Sequence, residues 1–269
     1  MITSIKNPEV KFLRSLKRKK YREREKMFVL EGIRIIEDAL ADQASFYRVF
    51  YSQMLESNSR GIRLLNQLKA LGVKAIQLDD KLFNEVADTE TPQGIIAILH
   101  QPDFELEDIL AQKRQYPHLV MLNGVQDPGN MGTILRTTAA GGWSGAILTK
   151  GTVDPFNSKS LRATMGAVFK IPFCKVKNLD QVWQLLREKG YQVVAADLNG
   201  DKWHFEVDFS TPTVVVVGNE GRGVEEQVLN SADQLVKIPM APDTESLNVG
   251  IAAGIMIYEG IRQNLLAGI

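Results

Sequence analysis

From Phe28 to Leu99 the chain alternates short apolar runs with helically spaced ones. The order is FVLEG at 28–32, IRIIEDALAD at 33–42, FYRVFYS at 46–52, the more polar GIRLLNQLKALG at 61–72, and VKAIQLDD at 73–80. After the turn signal Thr91-Pro92-Gln93-Gly94 comes the strand-like IIAILH at 95–100. This pattern predicts a small α/β unit. Residues 102–117, PDFELEDILAQKRQYP, are polar, begin and end with proline and lack a strand pattern, so they predict a linker with at most a helical turn. The domains are therefore drawn at 1–103 and 118–269, with 104–117 between them. The second half alternates more regularly, with strands predicted at 119–124, 145–149, 171–176, 191–197, 213–217 and 235–239. Helices are predicted at 130–141, 158–168, 179–189, 223–231 and 247–266. Strands interleaved with helices of about ten residues predict βαβ units and a mainly parallel sheet covered on both faces, with any ligand beyond the strands' C-terminal ends. No repeat of 20 to 50 residues is visible, which argues against a solenoid.

Composition narrows the picture. A length of 269 residues suits two domains, and 44% hydrophobic with 24% charged residues excludes a disordered or low-complexity chain. The longest apolar stretch, Val249 to Tyr258, contains two glycines and falls far short of the roughly 20 residues that span a bilayer, so no membrane segment is expected. The N-terminus runs into a basic segment without an apolar stretch, so no secretory signal is expected either. A lone cysteine, Cys174, permits no internal disulfide and fits a reducing cytoplasm, the expected location. The histidines His100, His118 and His204 show no metal-ligand spacing with it, and no metal is assigned. Net charge is zero, but residues 11–26, KFLRSLKRKKYREREK, hold nine basic residues against two acidic ones, a local +7 that leaves −7 for the rest. Such a block suits a phosphate backbone, and Lys17, Arg18, Lys19, Lys20 and Arg22 are its candidate contacts. The alternative is a helix face that water alone solvates.

Three segments crowd polar residues and glycines behind apolar strands. In LNGVQDPGNMGTILRTTAAGG, 122–142, the spacing from Gly124 to Gly129 imitates the start of a P-loop. Asn130 and Met131 stand where Lys and Ser or Thr are needed, so a triphosphatase fails. What remains is a strand-to-helix turn in which Asn130 caps the helix, with Arg136 placed to reach an anion near the helix N-terminus. In VVVVGNEGRGVEEQVL, 214–229, the valine run predicts a central, doubly covered strand. No G-x-G-x-x-G follows, because Glu226 stands at the would-be third glycine, and the dinucleotide fingerprint is absent. The bend still allows close backbone approach to a ligand, with Glu220 offering a carboxylate; equally, it is a helix N-terminus with acidic first-turn residues. In LVKIPMAPDTESLNVGIAAGIMIYEGI, 235–261, a strand ends at Pro239 and a polar loop leads to Ser246 and Asn248, both read as helix caps. Ala252, Ala253 and Gly254 let another backbone come close.

Together, Asn130-x-Gly132-x-x-x-Arg136-Thr137, Gly218-Asn219-Glu220-Gly221-x-Gly223, and Ile238-Pro239-Met240 through Ser246-Leu247-Asn248-Val249 closely resemble the three motifs of the SpoU family of RNA ribose methyltransferases, in the SPOUT superfamily. The resemblance covers roughly residues 118–266 in the family's order. Phe28 to Arg34 and Thr91 to Gly94 resemble, more loosely, the small substrate-binding domain that precedes the catalytic domain in many members. The resemblance implies a small α/β RNA-binding domain followed by a parallel-sheet domain whose C-terminal segment forms a deep trefoil knot. It implies S-adenosylmethionine as cofactor, held largely through backbone groups by Gly218, Ile238, Met240 and Leu247, with Leu198 as a further wall. The implied reaction is methyl transfer to an RNA ribose 2′-hydroxyl, the group that distinguishes RNA from DNA. Arg136 is the implied catalytic residue, with Asn130, Glu220, Ser246 and Asn248 orienting it and the substrate. A guanidinium has a pKa above about 12, so a cation that stabilises developing negative charge fits Arg136 better than a general base. The family also implies a homodimer and RNA, ribosomal in particular, as partner. A tRNA ribose methyltransferase and a non-catalytic RNA binder that keeps the fold are the alternatives.

Overall fold

The basic N-terminal run folds as two short helices, α1 (Pro8–Ser15) and α2 (Lys19–Glu25). Asn7 caps α1 by accepting the N–H of Glu9, Pro8 supplies a fixed φ at its start, and Val10 and Leu13 are buried. There follow β1 (Met27–Glu31), α3 (Ile33–Ala41), β2 (Phe46–Tyr51), α4 (Ser59–Ala70), β3 (Lys74–Gln77), α5 (Asp80–Val86) and β4 (Ile95–His100). The strands form one sheet in the order β1-β4-β2-β3, with β4 antiparallel to both neighbours and β2 parallel to β3. The two stretches that resemble the substrate-binding domain meet at the start of α3. Gln93 Oε1 accepts the N–H of Ile33 at 2.8 Å, and the Glu31 carboxylate accepts the N–H groups of Asp88 and Thr89 and the Thr89 hydroxyl. Gly94 is required there, because its φ is +75° and a Cβ would lie 2.7 Å from the Leu55 nitrogen.

The structure removes one residue from the RNA-facing set. Arg22 is 5% exposed, and its Nη1 donates to the carbonyl oxygens of Leu16 at 2.9 Å and Lys17 at 2.7 Å. A guanidinium spent on the orphan carbonyls behind α1 cannot also hold a phosphate. Lys17 is exposed but paired with Asp88 at 2.6 Å. Arg18, Lys19 and Lys20 remain on the surface, Lys19 reaching only to Glu23 at 3.8 Å.

The rest of the chain contains α6 (Leu106–Leu110), β5 (Tyr116–Leu122), α7 (Pro128–Ala140), β6 (Trp143–Leu148), α8 (Ser158–Thr164), α9 (Ala167–Lys170), β7 (Phe173–Lys175) and α10 (Leu179–Glu188). It ends with β8 (Gln192–Ala196), β9 (Lys202–Trp203), β10 (Thr213–Val217), α11 (Glu226–Leu229), β11 (Gln234–Lys237) and α12 (Val249–Ala267). Among the described residues seven strands form a sheet in the order β7-β6-β5-β10-β8-β11-β9, parallel throughout. The valine strand β10 is central and buried along its whole length. α12 lies along α7 through small residues: a Cβ on Gly250 would meet Thr133 Cγ2 at 3.2 Å, and one on Gly141 would meet Ile257 Cγ2 at 3.0 Å. Three elements differ from the predicted pattern. The helix predicted at 158–168 is broken into α8 and α9 at Met165 and Gly166, whose φ angles are +48° and +84°. α11 has four residues rather than the span 223–231, because 219–223 close into a bridge between Asn219 and Gly223. β9 is only two residues long, too short for a period to mark it.

This computed structural model describes residues 1–112, 114 and 116–268. Its contacts group Met1–Pro102 with Phe156–Phe169, and Asp103–Pro155 with the chain from Lys170 onward. The segment 156–169, drawn from sequence inside the second domain, thus belongs to the first unit. Phe156 and Phe169 set their rings 4.6 and 6.4 Å from that of Phe28, an attraction no local pattern reveals. The drawn linker is also partly core, since Leu106 and Ile109 of α6 are buried with Leu119, Trp183 and Val214. Lys113 and Gln115 of that linker, and the terminal Ile269, lie outside the described residues. Among the described residues no helix is long and apolar enough to cross a membrane, and no group of His, Cys, Asp and Glu could hold a metal ion.

Candidate active site

At the C-terminal ends of β8, β10 and β11 three loops and the segment before α12 surround a cavity of about 630 Å³. That size lies within the roughly 300–1,000 Å³ of small-molecule sites, at the edge of a parallel sheet where such sites form. Gly218, Ile238, Met240, Leu247 and Leu198 all line it, as do Glu220, Ser246 and Asn248. Asn130 and Arg136 lie outside its walls. Sequence reasoning did not single out Asp197, Asn199 or Arg222, which also line it. The first two sit in Asp197-Leu-Asn-Gly200, a turn signal directly after a strand, which is the clue that could have found them.

The walls are built by backbone tightness and a few buried amides. Gly218 is packed so closely that a Cβ would fall 2.1 Å from the carbonyl carbon of Gly223, so no other residue fits there. Asn219 folds the next turn: its Oδ1 accepts the N–H groups of Gly221 and Arg222, and its Nδ2 donates to the Gly124 carbonyl at 2.9 Å. Asn123, fully buried, holds the same region from β5, its Oδ1 accepting the N–H of Glu225 at 2.7 Å and its Nδ2 donating to Thr149 Oγ1. The sequence reading places Asn123 and Gly124 at the end of the strand predicted at 119–124, which hides this bracing; β5 ends at Leu122.

A chain of amides and one carboxylate joins the three motifs. Asn248 Nδ2 donates to Asn130 Oδ1 at 2.8 Å, and Asn130 Nδ2 donates to Glu220 Oε1 at 2.9 Å. Glu220 further accepts the N–H groups of Gln126 at 3.1 Å and Asp127 at 3.0 Å. Partial burial works against its charge, but the hydrogen bonds from Asn130, Asp127 and Gln126 outweigh that and hold its carboxyl below the ordinary range. Glu220 is therefore an ionised brace for the loop before α7. The capping roles differ from the sequence reading. Asp127, with Pro128 behind it, caps α7 by accepting the N–H of Asn130, which leaves the Asn130 side chain free for the network. Asn248 caps α12 through the N–H groups of Gly250 and Ile251, whereas Ser246 makes no hydrogen bond with a described residue and faces the cavity.

Arg136 stands two turns along α7, exposed, between the buried pair Ile134 and Leu135 and the buried Thr138. It forms no hydrogen bond or ion pair with a described residue. An Arg held on a well-packed helix with its fork uncommitted is suited to a phosphate or a developing oxyanion.

The SpoU rRNA Methylase family matches residues 117–258, and an MRM3-like substrate binding domain matches residues 7–97. The chain is 34% identical over 257 residues to the 23S rRNA (guanosine(2553)-2′-O)-methyltransferase RlmP of Bacillus subtilis, covering 96% of this chain and 97% of that protein. It resembles the solved structure of an AdoMet-bound rRNA methyltransferase from Sinorhizobium meliloti, with a TM-score of 0.85, 35% identity and 97% of each chain covered. The similarity to a TrmH/SpoU tRNA modifying enzyme of A. aeolicus is more partial, with a TM-score of 0.52 and 32% identity over 60% of this chain and 81% of that one.

Proposed function

The chain belongs to the SpoU rRNA methylase family, and from that premise we propose that it methylates the ribose 2′-hydroxyl of a guanosine in 23S-type ribosomal RNA, in the cytoplasm, using S-adenosylmethionine. The observation that carries this reading is the cavity, where the residues expected to hold the cofactor line one space beside a network that reaches α7. Its walls fit the group: Leu198, Ile238, Met240 and Leu247 offer apolar surface, the close-packed Gly218 loop offers backbone groups, and Asp197 and Asn199 offer polar ends. S-adenosylmethionine, when bound, supplies a methyl group on a positively charged sulfur. The family's trefoil knot is part of this proposal, supported by the segment 238–248 lining the cavity together with the 218–223 loop before it enters α12.

The chain's own task is to place a poor nucleophile and stabilise the charge it develops. Arg136 acts as a fixed cation beside the target, holding a neighbouring phosphate or the incipient alkoxide without exchanging its own proton, and the proton of the 2′-hydroxyl passes to solvent water as the oxygen takes the methyl group. Asn130, Glu220 and Asn248 are positioning residues that keep the loop before α7 and the start of α12 in register, and Ser246 orients substrate from the cavity rim. Ribosomal RNA is favoured over tRNA because the rRNA enzymes match nearly the whole chain, substrate-binding unit included, whereas the tRNA modifying enzyme matches 60% of it.

Calorimetric titration with S-adenosylmethionine, in parallel with Leu247→Arg, tests the reading. Wild-type binding and at least a tenfold loss in the variant support it. Failure of both to bind, with and without ribosomal RNA, leaves a non-catalytic RNA binder.

A further inference from the structure

Beside the cavity, at the C-terminal end of the edge strand β9, Trp203 and Phe205 hold their rings in the open, 40% and 48% exposed. The rings are nearly parallel, with an interplanar angle of 18° and centroids 6.3 Å apart. Trp203 stands opposite Lys237 in the β9–β11 pairing, and Lys237 Nζ lies 5.0 Å from the centroid of the Trp203 ring while the same residue lines the cavity. Lys202, also exposed, precedes the pair. Two carboxylates, Asp201 and Glu206, flank the pair, and Glu206 accepts the Trp203 N–H at 2.6 Å, but among the described residues neither forms an ion pair with Lys202 or Lys237.

Large aromatic rings on an open sheet edge invite a partner. Two partners come into question, a second copy of the chain and the RNA, and the cations separate them. The other exposed apolar stripe, Ile251, Tyr258 and Leu265 on α12, has as its neighbouring cation Arg262, which is neutralised by Glu259 at 2.7 Å, as suits a protein surface. The β9 patch instead sets flat rings beside two lysines without an ion-pair partner among the described residues, Lys202 donating only to the neutral Gln234 Oε1 at 3.1 Å, the combination on which unpaired bases stack while lysines hold the flanking phosphates.

We propose that Trp203 and Phe205, framed by Lys202 and Lys237, form a stacking platform for an unpaired base of the RNA substrate close to the methylated nucleotide. The proposal rests on the function proposed above and gives the second unit an RNA contact of its own, apart from the basic helices of the first. The platform catches a base on its way past the cavity mouth, so it acts on RNA affinity and leaves cofactor binding alone.

The test uses the full-length protein, a fluorescein-labelled single-stranded RNA of twelve uridines, and two double variants. In one, Trp203→Ala is combined with Phe205→Ala; in the other, Trp203→Tyr is combined with Phe205→Tyr, which keeps rings at both places. The alanine pair is expected to weaken RNA binding about tenfold or more. The tyrosine pair should stay within about twofold of wild type, and both should keep the wild-type affinity for S-adenosylmethionine and the wild-type mass in light scattering. Unchanged RNA affinity in the alanine pair overturns the proposal. So does a fall in mass, which assigns the patch to a second copy of the chain. Should the wild type bind RNA through these rings yet not bind S-adenosylmethionine, the platform stands and the methyl-transfer reading falls.

Discussion

Arg136 and His118 show how differently two single residues are used by one scaffold. Arg136 packs against nothing that needs it and pairs with no described residue, so its loss should be felt only by the substrate. Arg136→Ala is expected to lower single-turnover methylation by about 10² to 10³ while the Kd for S-adenosylmethionine stays within twofold, because one charge-stabilising donor commonly contributes that much. Arg136→Lys should recover only part of the rate, since an ammonium lacks the planar fork. If cofactor affinity falls in step with rate, the residue is structural. His118 is the opposite case. It is 1% exposed, receives the N–H of Thr213 at Nδ1 at 3.2 Å, and lies beneath the rings of Trp143 and Phe209. Burial pushes its pKa down from about 6.5 to about 4. The unfolded chain therefore takes up this proton first, and stability that is complete above pH 6.5 is lost as the pH falls toward 4, by about 3 kcal/mol in all. Urea midpoints measured between pH 7.5 and 4 should trace that loss, and a His118→Gln variant should flatten it; equal slopes in the two proteins would refute the assignment.

Among the elements, the turn after β10 carries the tightest constraint. A Cβ at Gly218 would collide with backbone, which cannot move aside as a side chain can, so Gly218→Ala must displace the 219–223 turn. The expected result is a cofactor affinity reduced at least tenfold with about 1–3 kcal/mol of lost stability, read by titration and thermal melting on the same sample. What the sequence reveals at this scale follows from period and length. β10 and the pattern of parallel strands are legible because buried strands read as unbroken apolar runs; α7 is legible as a helix, but the sequence reading starts it at Asn130, whereas Asp127 and Pro128 in fact open it. The residues around the cavity were legible only as motifs, since glycine turns and capping amides carry no period. Arg22 was misleading for a related reason. Charge is visible in a sequence, whereas the carbonyls that consume it are created by the end of α1. β9, the two residues Lys202 and Trp203 between Asp201 and His204, offers no pattern at all.

For the whole molecule we propose the homodimer that the sequence resemblance implies. Ile251, Tyr258 and Leu265 recur every seventh residue along the exposed side of α12, each more than half exposed, a stripe that a second copy could cover. Light scattering at micromolar concentration should give twice the protomer mass of 30.0 kDa, and Tyr258→Arg with Leu265→Arg should return it to that value. A wild-type mass of one protomer would remove the dimer from the proposal.

The segment 156–169 bears on how such a protein can change over time. Because the chain enters its first unit, leaves it, and returns with Phe156 and Phe169 to complete the packing around Phe28, that unit is not a bead on a string. A single cut near residue 102 does not release it intact, and a foreign front domain joined there inherits a helix with nothing to rest on. Exchanging this unit for a relative's therefore takes three junctions, after residues 102, 155 and 169, where a domain built from one continuous segment at the chain's start would take one.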